Sequence, residues 1–249
     1  MWDSILLMFI HRWYVFTFLF AFLAIGSLHW GLWRTMKFLL LGYLIAWGSE
    51  ALSIRNGFPY GMYYYHYDVM AGEPFLLGVP LWDSLSYVFL SFAGYMMALF
   101  LRVRWDRFTP IPQLQSSWTT VLLGAALTMV LDIVIDPLAT LGRYWFLGNV
   151  FHYPPGGQYF GVPLSNFAGW FLVALTILSL FRLTDRMQGV PRNPKTILLG
   201  VGLFLGVYFF NLTMTFYIGA WKLGLASVGW GFLLIILALT GSGKRKVQM

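Results

Sequence analysis

Seven stretches of this chain stay apolar over the ~20 residues needed to cross about 30 Å of hydrocarbon, and that repetition names the solvent before any motif is considered. They run Tyr14 to Trp33, Lys37 to Ile54, Pro80 to Leu101, Trp118 to Ile135, Pro163 to Phe181, Ile197 to Phe216 and Trp221 to Leu239. Only Tyr217-Ile218-Gly219-Ala220 separates the last two, so six spans also fit the pattern. Charge agrees with lipid: 10% of the 249 residues are charged, against about 25% in an ordinary globular domain. The expected fold class is an all-α polytopic transmembrane helix bundle of about seven spans, residues 1–249 forming a single integral membrane domain. No basic segment and no A-x-A cleavage pattern accompanies the first span, which is therefore expected to be an anchor.

The chain has no cysteine, which excludes disulfides, thiolate nucleophiles and Cys-ligated metal centres. A formal charge of +7 would suggest nucleic acid in a soluble chain; here no nucleic-acid partner is expected, because membrane proteins gather Lys and Arg in cytoplasmic loops. One side of the bundle would hold Arg12, Arg55, Arg143 and Lys222. The other would hold Arg34, Lys37, Arg102, Arg104, Arg107, Arg182, Arg186, Arg192, Lys195, Lys244, Arg245 and Lys246. Twelve against four predicts a cell-membrane protein with its N-terminus outside and its C-terminus cytoplasmic. The two longest outer connections, Arg55 to Val79 and Leu138 to Val162, are rich in Tyr, Trp, Phe, Gly and Pro, and loops of such length are usually functional.

Those connections belong to a repeated pattern. Gly78-Val79-Pro80-Leu81 recurs 83 positions on as Gly161-Val162-Pro163-Leu164, Gly61-Met62-Tyr63 matches Gly142-Arg143-Tyr144, and Glu50 matches Asp132. The pattern predicts an internal parallel duplication, units of about 37–101 and 118–181, each a helix ending in an acid, an aromatic outer loop, a G-V-P-L opening and a returning helix. The two outer loops would then face each other on one side of the membrane.

Of nine acids, Asp3, Asp68, Glu73, Asp106 and Asp185 fall in termini or loops where water is expected to solvate them. Glu50, Asp83, Asp132 and Asp136 fall within spans, where a carboxylate costs at least ~2.5 kcal/mol and is a functional candidate by default. Glu50, Asp132 and Asp136 sit towards helix C-termini, which disfavour an anion; they are candidate proton donors. Asp132 and Asp136, four residues apart, share a helix face, although Asp136-Pro137 is also an ordinary stop signal. Asp83 follows Pro80, a favoured first helical residue, so it lies in an opening turn that favours the carboxylate. It is the candidate base that orients water, and Asn166 occupies the matching position in the second unit. A purely structural reading pairs these acids with Arg55 or Arg143, or with Ser49, Ser53, Asn166 or Asn211.

Tyr60, Tyr63, Tyr64, Tyr65, Tyr67, Tyr144, Trp145 and Tyr153 form either an interfacial aromatic belt or a groove whose ring faces stabilise a cation. His66 and His152 lack the spacing of a metal-ligand motif, so no metal is expected.

These motifs resemble one family. Glu50 with Asn56-Gly57-Phe58-Pro59-Tyr60-Gly61-x-Tyr63-x-Tyr65, Gly78-Val79-Pro80-Leu81-x-Asp83, Asp132-x-x-x-Asp136-Pro137 and Tyr159-Phe160-Gly161-Val162-Pro163-Leu164-Ser165-Asn166-Phe167-x-Gly169-Trp170 are similar to the carotenoid biosynthesis membrane proteins, which include carotenoid 1,2-hydratases and bisanhydrobacterioruberin hydratases. The resemblance spans roughly Glu50 to Trp170. It implies a hydro-lyase that adds water across the terminal C1–C2 double bond of an acyclic carotenoid, lycopene-like or a bacterioruberin precursor, without a cofactor. A trisubstituted alkene needs a positioned proton donor to give a tertiary cation, which water then attacks. Glu50 or Asp132 would give the proton, Asp83 with Asn166 would hold water, and Tyr60, Tyr63, Tyr65, Trp82, Tyr144, Trp145 and Trp170 would bind the polyene.

Three alternatives stay open at the level of sequence. A carotenoid cyclase begins with the same protonation. A membrane prenyltransferase needs two Asp-rich clusters for metal-bound diphosphate, whereas this chain has one D-x-x-x-D. A proton-coupled transporter would use the carboxylates as a relay.

Overall fold

The computed structural model describes residues 2–106, 108–154, 156–185 and 194–240. Its helices are α1 (Trp2–His11), α2 (Trp13–Trp30), α3 (Leu32–Asn56), α4 (Asp83–Trp105), α5 (Ile111–Gln115), α6 (Trp118–Ala139), α7 (Leu164–Thr184), α8 (Pro194–Tyr217) and α9 (Trp221–Thr240). Four two-residue strands, β1 (Tyr64–Tyr65), β2 (Phe75–Leu76), β3 (Val79–Pro80) and β4 (Phe151–His152), lie in the long connections. Seven helices, α2, α3, α4, α6, α7, α8 and α9, are long and apolar enough to cross a membrane. The chain is thus a multi-pass helical membrane protein, with the short turn after Tyr217 dividing two spans. A helix is the natural span because it satisfies its own backbone in lipid. The breaks between helices fall where glycine permits a left-handed φ, at Gly31 (φ 87°) and Gly57 (φ 80°). Of the cations counted for orientation, Arg107, Arg186, Arg192, Lys244, Arg245 and Lys246 lie outside the described residues.

Helix α4 is the axis of the bundle, buried along most of its length and packed on α3, α6 and α8. Small residues bring α4 and α6 together: a Cβ on Gly94 would stand 2.6 Å from the Gly124 carbonyl oxygen, and one on Gly124 would stand 3.0 Å from the Tyr95 Cα. Such close backbone approach is how helices gain dispersion contacts where lipid leaves no hydrophobic drive.

Three helix boundaries depart from expectation. Pro80 does not open α4; it pairs with Phe75 in the β2–β3 ribbon, and the helix starts at Asp83. Pro163 precedes α7, which starts at Leu164. Asp136-Pro137 does not stop α6, which runs on to Ala139; proline forfeits one N–H, and the Thr140 N–H still reaches the Asp136 carbonyl at 3.0 Å. Asp132 and Asp136 therefore lie one turn deeper relative to the helix end than the motif suggests.

The two long connections meet. Strands β1 and β4 pair antiparallel, Tyr64 opposite His152 and Tyr65 opposite Phe151. Beside them Arg12, at the α1–α2 elbow, donates to both carboxylate oxygens of Glu73 at 2.8 and 3.1 Å and to the Leu147 carbonyl at 2.8 Å. Its guanidinium lies 4.5 Å from the Trp82 ring. Glu73, expected to be solvated, is instead buried, because its partner arrives from 61 positions away. Asp185 is likewise held, by Arg34 at 3.1 Å.

Candidate functional site

All four span acids gather beneath this roof. Glu50, near the end of α3, accepts a short hydrogen bond from the Ser84 hydroxyl in the first turn of α4. Asp83, the first residue of α4, accepts from the Tyr65 hydroxyl at 2.6 Å. On α6, Asp132 and Asp136 share the Asn166 carboxamide, whose Nδ2 donates to them at 2.8 and 2.9 Å, and the Tyr153 hydroxyl donates to Asp136 at 2.8 Å. The pairs Glu50–Ser84 and Asp132–Asn166 are each separated by 34 positions. By partner, Asn166 thus corresponds to Ser84 rather than to the neighbouring Asp83. Of the partners a purely structural reading allows, Asn166 is bonded, whereas among the described residues no acid pairs with Arg55 or Arg143: Arg55 donates to backbone carbonyls, among them Leu77 at 3.1 Å, and Arg143 to the Tyr144 hydroxyl.

The loop tyrosines stay protonated donors. Burial, and then the nearby Asp83, pushes the Tyr65 hydroxyl well above its usual 10. Burial, and then Glu50, does the same to Tyr63, and burial with Asp136 does so to Tyr153. Tyr65 and Tyr153 thus keep an O–H to give to Asp83 and Asp136, and the Tyr63 hydroxyl meets that of Tyr65 at 3.3 Å.

Two cavities adjoin these side chains. One of about 100 Å³ is mostly hydrocarbon, walled by residues such as Phe18, Phe89, Ile135 and Phe210. The other, about 50 Å³, is lined by Glu50, Asp83, Asp136, Asn166 and the hydroxyl-bearing Tyr60, Tyr63, Tyr87 and Tyr153. Asp83, Asp136, Phe151 and Trp170 line both. Two carboxyl groups therefore stand in the wall between an apolar chamber and a polar one. Asp132 lines neither, and its Oδ1 is buried without a partner among the described residues.

The remaining candidates divide. Trp82 and Trp145 line the apolar cavity, Tyr60 and Tyr63 the polar one, and Trp170 both, its ring stacked on Tyr87 at 3.7 Å. Tyr65 acts through its bond to Asp83. Tyr144 lies at the surface beside Arg143, outside both cavities. His66 and His152 approach to 2.9 Å across the β1–β4 ribbon. Sequence reasoning missed Ser84, Tyr87 and Arg12. Ser84 was within reach, since it sits 82 positions before Asn166 and each neighbours an acid; Arg12 carried no local signal.

An all-helical membrane bundle with four acids clustered under aromatic loops defines the class: a multi-pass membrane protein with an intramembrane carboxyl site. A family model described as carotenoid biosynthesis protein matches residues 8–238, and the chain belongs to that family. The bisanhydrobacterioruberin hydratase of Haloarcula japonica is 31% identical over 152 residues, 60% of this chain and 45% of that protein. The match thus spans less than half the length of that relative. No solved structure matches the chain.

Proposed function

We propose that this protein is a membrane carotenoid hydratase that adds water across the terminal C1–C2 double bond of an acyclic end group. The observation that carries the reading is the shared wall, where Asp83 and Asp136 face both the apolar and the polar cavity. Family membership and the hydratase relative support the carotenoid as substrate.

The end group lies in the apolar cavity with the rest of the polyene in the bilayer. Asp136, towards the C-terminal end of α6 where an anion is disfavoured, gives its proton to C2 and leaves a tertiary cation at C1. Its lining position favours it over Glu50 or Asp132 as the donor. Water at the wall between the two cavities attacks C1, and Asp83, at the N-terminus of α4 where free N–H groups favour a carboxylate, takes the released proton towards the polar chamber. That proton returns to Asp136 through water in the same chamber, so the cycle is redox-neutral. The stacked Trp170 and Tyr87 rings shelter the cation. Asn166 and Tyr153 orient Asp136, and Tyr65 orients Asp83. Residues 37–101 and 118–181 are read as copies of one unit within a single membrane domain, a reading supported by the equal 34-position spacing of their acid pairs. The N-terminus lies outside and the C-terminus in the cytoplasm of the cell membrane.

Expression in lycopene-producing cells, with mass detection of the pigments, tests the reading. Hydration adds one water to the mass, whereas cyclisation adds nothing. Unaltered lycopene in cells that make the protein would overturn it.

A further inference from the structure

Among the polar side chains of the apolar cavity that this chemistry leaves unused are Tyr14, Ser86 and Asn211, and the last stands on α8, away from the four acids. Asn211, on α8, is 6% exposed and lines the cavity between the hydrocarbon of Val207 and Phe210. Its Nδ2 donates to the Val207 carbonyl at 2.9 Å, which fixes the orientation of the carboxamide because a carbonyl requires a donor. Its Oδ1 makes no hydrogen bond among the described residues. None of the four acids bonds to it, so it is not the helix-packing partner that sequence alone allows.

An amide oxygen left bare among hydrocarbon side chains is destabilising, and a leucine of similar size would avoid the cost. The oxygen is acceptor-only, so its ligand carries a donor. The residues beside it, Val207 and Phe210, are hydrocarbon, which disfavours a charged donor. Asp83 and Asp136 line the same cavity, and the reaction proposed for them handles two species of that description, water and the tertiary alcohol. We propose that Asn211 binds an uncharged O–H group beside the reacting end group, holding the oxygen that becomes bonded to C1. This rests on the hydratase reading. The balance is unchanged: the alkene gains a proton from Asp136 at C2 and the oxygen at C1, and the second proton leaves for Asp83.

The test uses the full chain in lipid vesicles supplied with lycopene in deuterium oxide. Mass detection follows both the hydroxylated product and deuterium at C2 of recovered lycopene, which forms when a cation loses a proton before water reaches it. Asn211→Leu is expected to lower hydration about tenfold while deuterium exchange is retained or rises, since one hydrogen bond on the attacking oxygen is lost. Asn211→Thr is expected to restore hydration to within about threefold of the parent, because a threonine can bond the carbonyl one turn back, as Thr215 does to Asn211 at 2.8 Å, and still accept an O–H. Supplying the hydroxylated carotenoid and following dehydration distinguishes the source. A raised KM in Asn211→Leu identifies the alcohol, and a lowered kcat at constant KM identifies water; either supports the site. Hydration by Asn211→Leu equal to that of an active parent overturns the proposal, as does equal loss of hydration and exchange in both variants. A parent that hydrates nothing overturns instead the hydratase reading.

Discussion

The two helix–loop–helix halves present the same frame with one carboxyl moved. In each, an acid on the outgoing helix is bonded to a polar residue in the first turn of the returning helix, 34 positions on: Glu50 with Ser84, and Asp132 with Asn166. The first half places its second carboxyl beside that polar residue, as Asp83 at the start of α4. The second half places it four residues along the outgoing helix, as Asp136 within α6. One sits at the positive end of a helix dipole and the other near a negative end. In the mechanism proposed above, two similar frames supply an acid and a base by shifting where a carboxyl meets the backbone, and both carboxyls line the same wall.

The strongest way to break this comparison is to remove each shifted carboxyl. Asp136→Asn and Asp83→Asn are each expected to lower hydration by about 10²- to 10⁴-fold, the range for a positioned acid or base. They should differ in deuterium exchange into recovered lycopene: lost in Asp136→Asn, which cannot protonate, and kept in Asp83→Asn. Identical exchange in the two would erase the distinction between the halves. Next in size is the clasp that joins them. Arg12→Met leaves the buried Glu73 with only the half-exposed His11, 3.4 Å away, as a partner and should destabilise the fold by about 3 kcal/mol, read from thermal unfolding in detergent, with much of the loss recovered when Glu73→Met is added. The frame acids should then rank unequally. Glu50→Gln, which alters the polar cavity, is expected to cost about tenfold in hydration rate, and Asp132→Asn, behind the wall, only about threefold. Smallest are Tyr65→Phe and Tyr153→Phe, each removing one O–H from a carboxyl and each expected to slow hydration by about twofold without changing the unfolding temperature by more than a few degrees.

Much of this was legible in the residues. The spans followed from hydropathy, and all four site acids from the cost of charge in lipid, since both signals are local. The pairing of the long loops was visible only as parallel direction, and the register of Tyr64 on His152 had no sequence marker. Glu73 read as a solvated loop acid because its guanidinium partner stands 61 positions earlier. The helix through Pro137 defeated a stop signal calibrated on water-exposed ends; inside a bundle, neighbours tolerate the missing donor. Asn211 read as packing glue because nothing local to it in the sequence places it in the wall of the same cavity as Asp83 and Asp136.

The reach of Arg12 bears on how the molecule is made. Its hydrogen bond to the Leu147 carbonyl joins positions 135 apart, and four spans leave the ribosome between them. The roof over the carboxyl site therefore closes only after α6 has entered the bilayer. Until then the guanidinium holds Glu73 without its bond to Leu147, and a nascent chain arrested at that stage lacks the second loop of its roof.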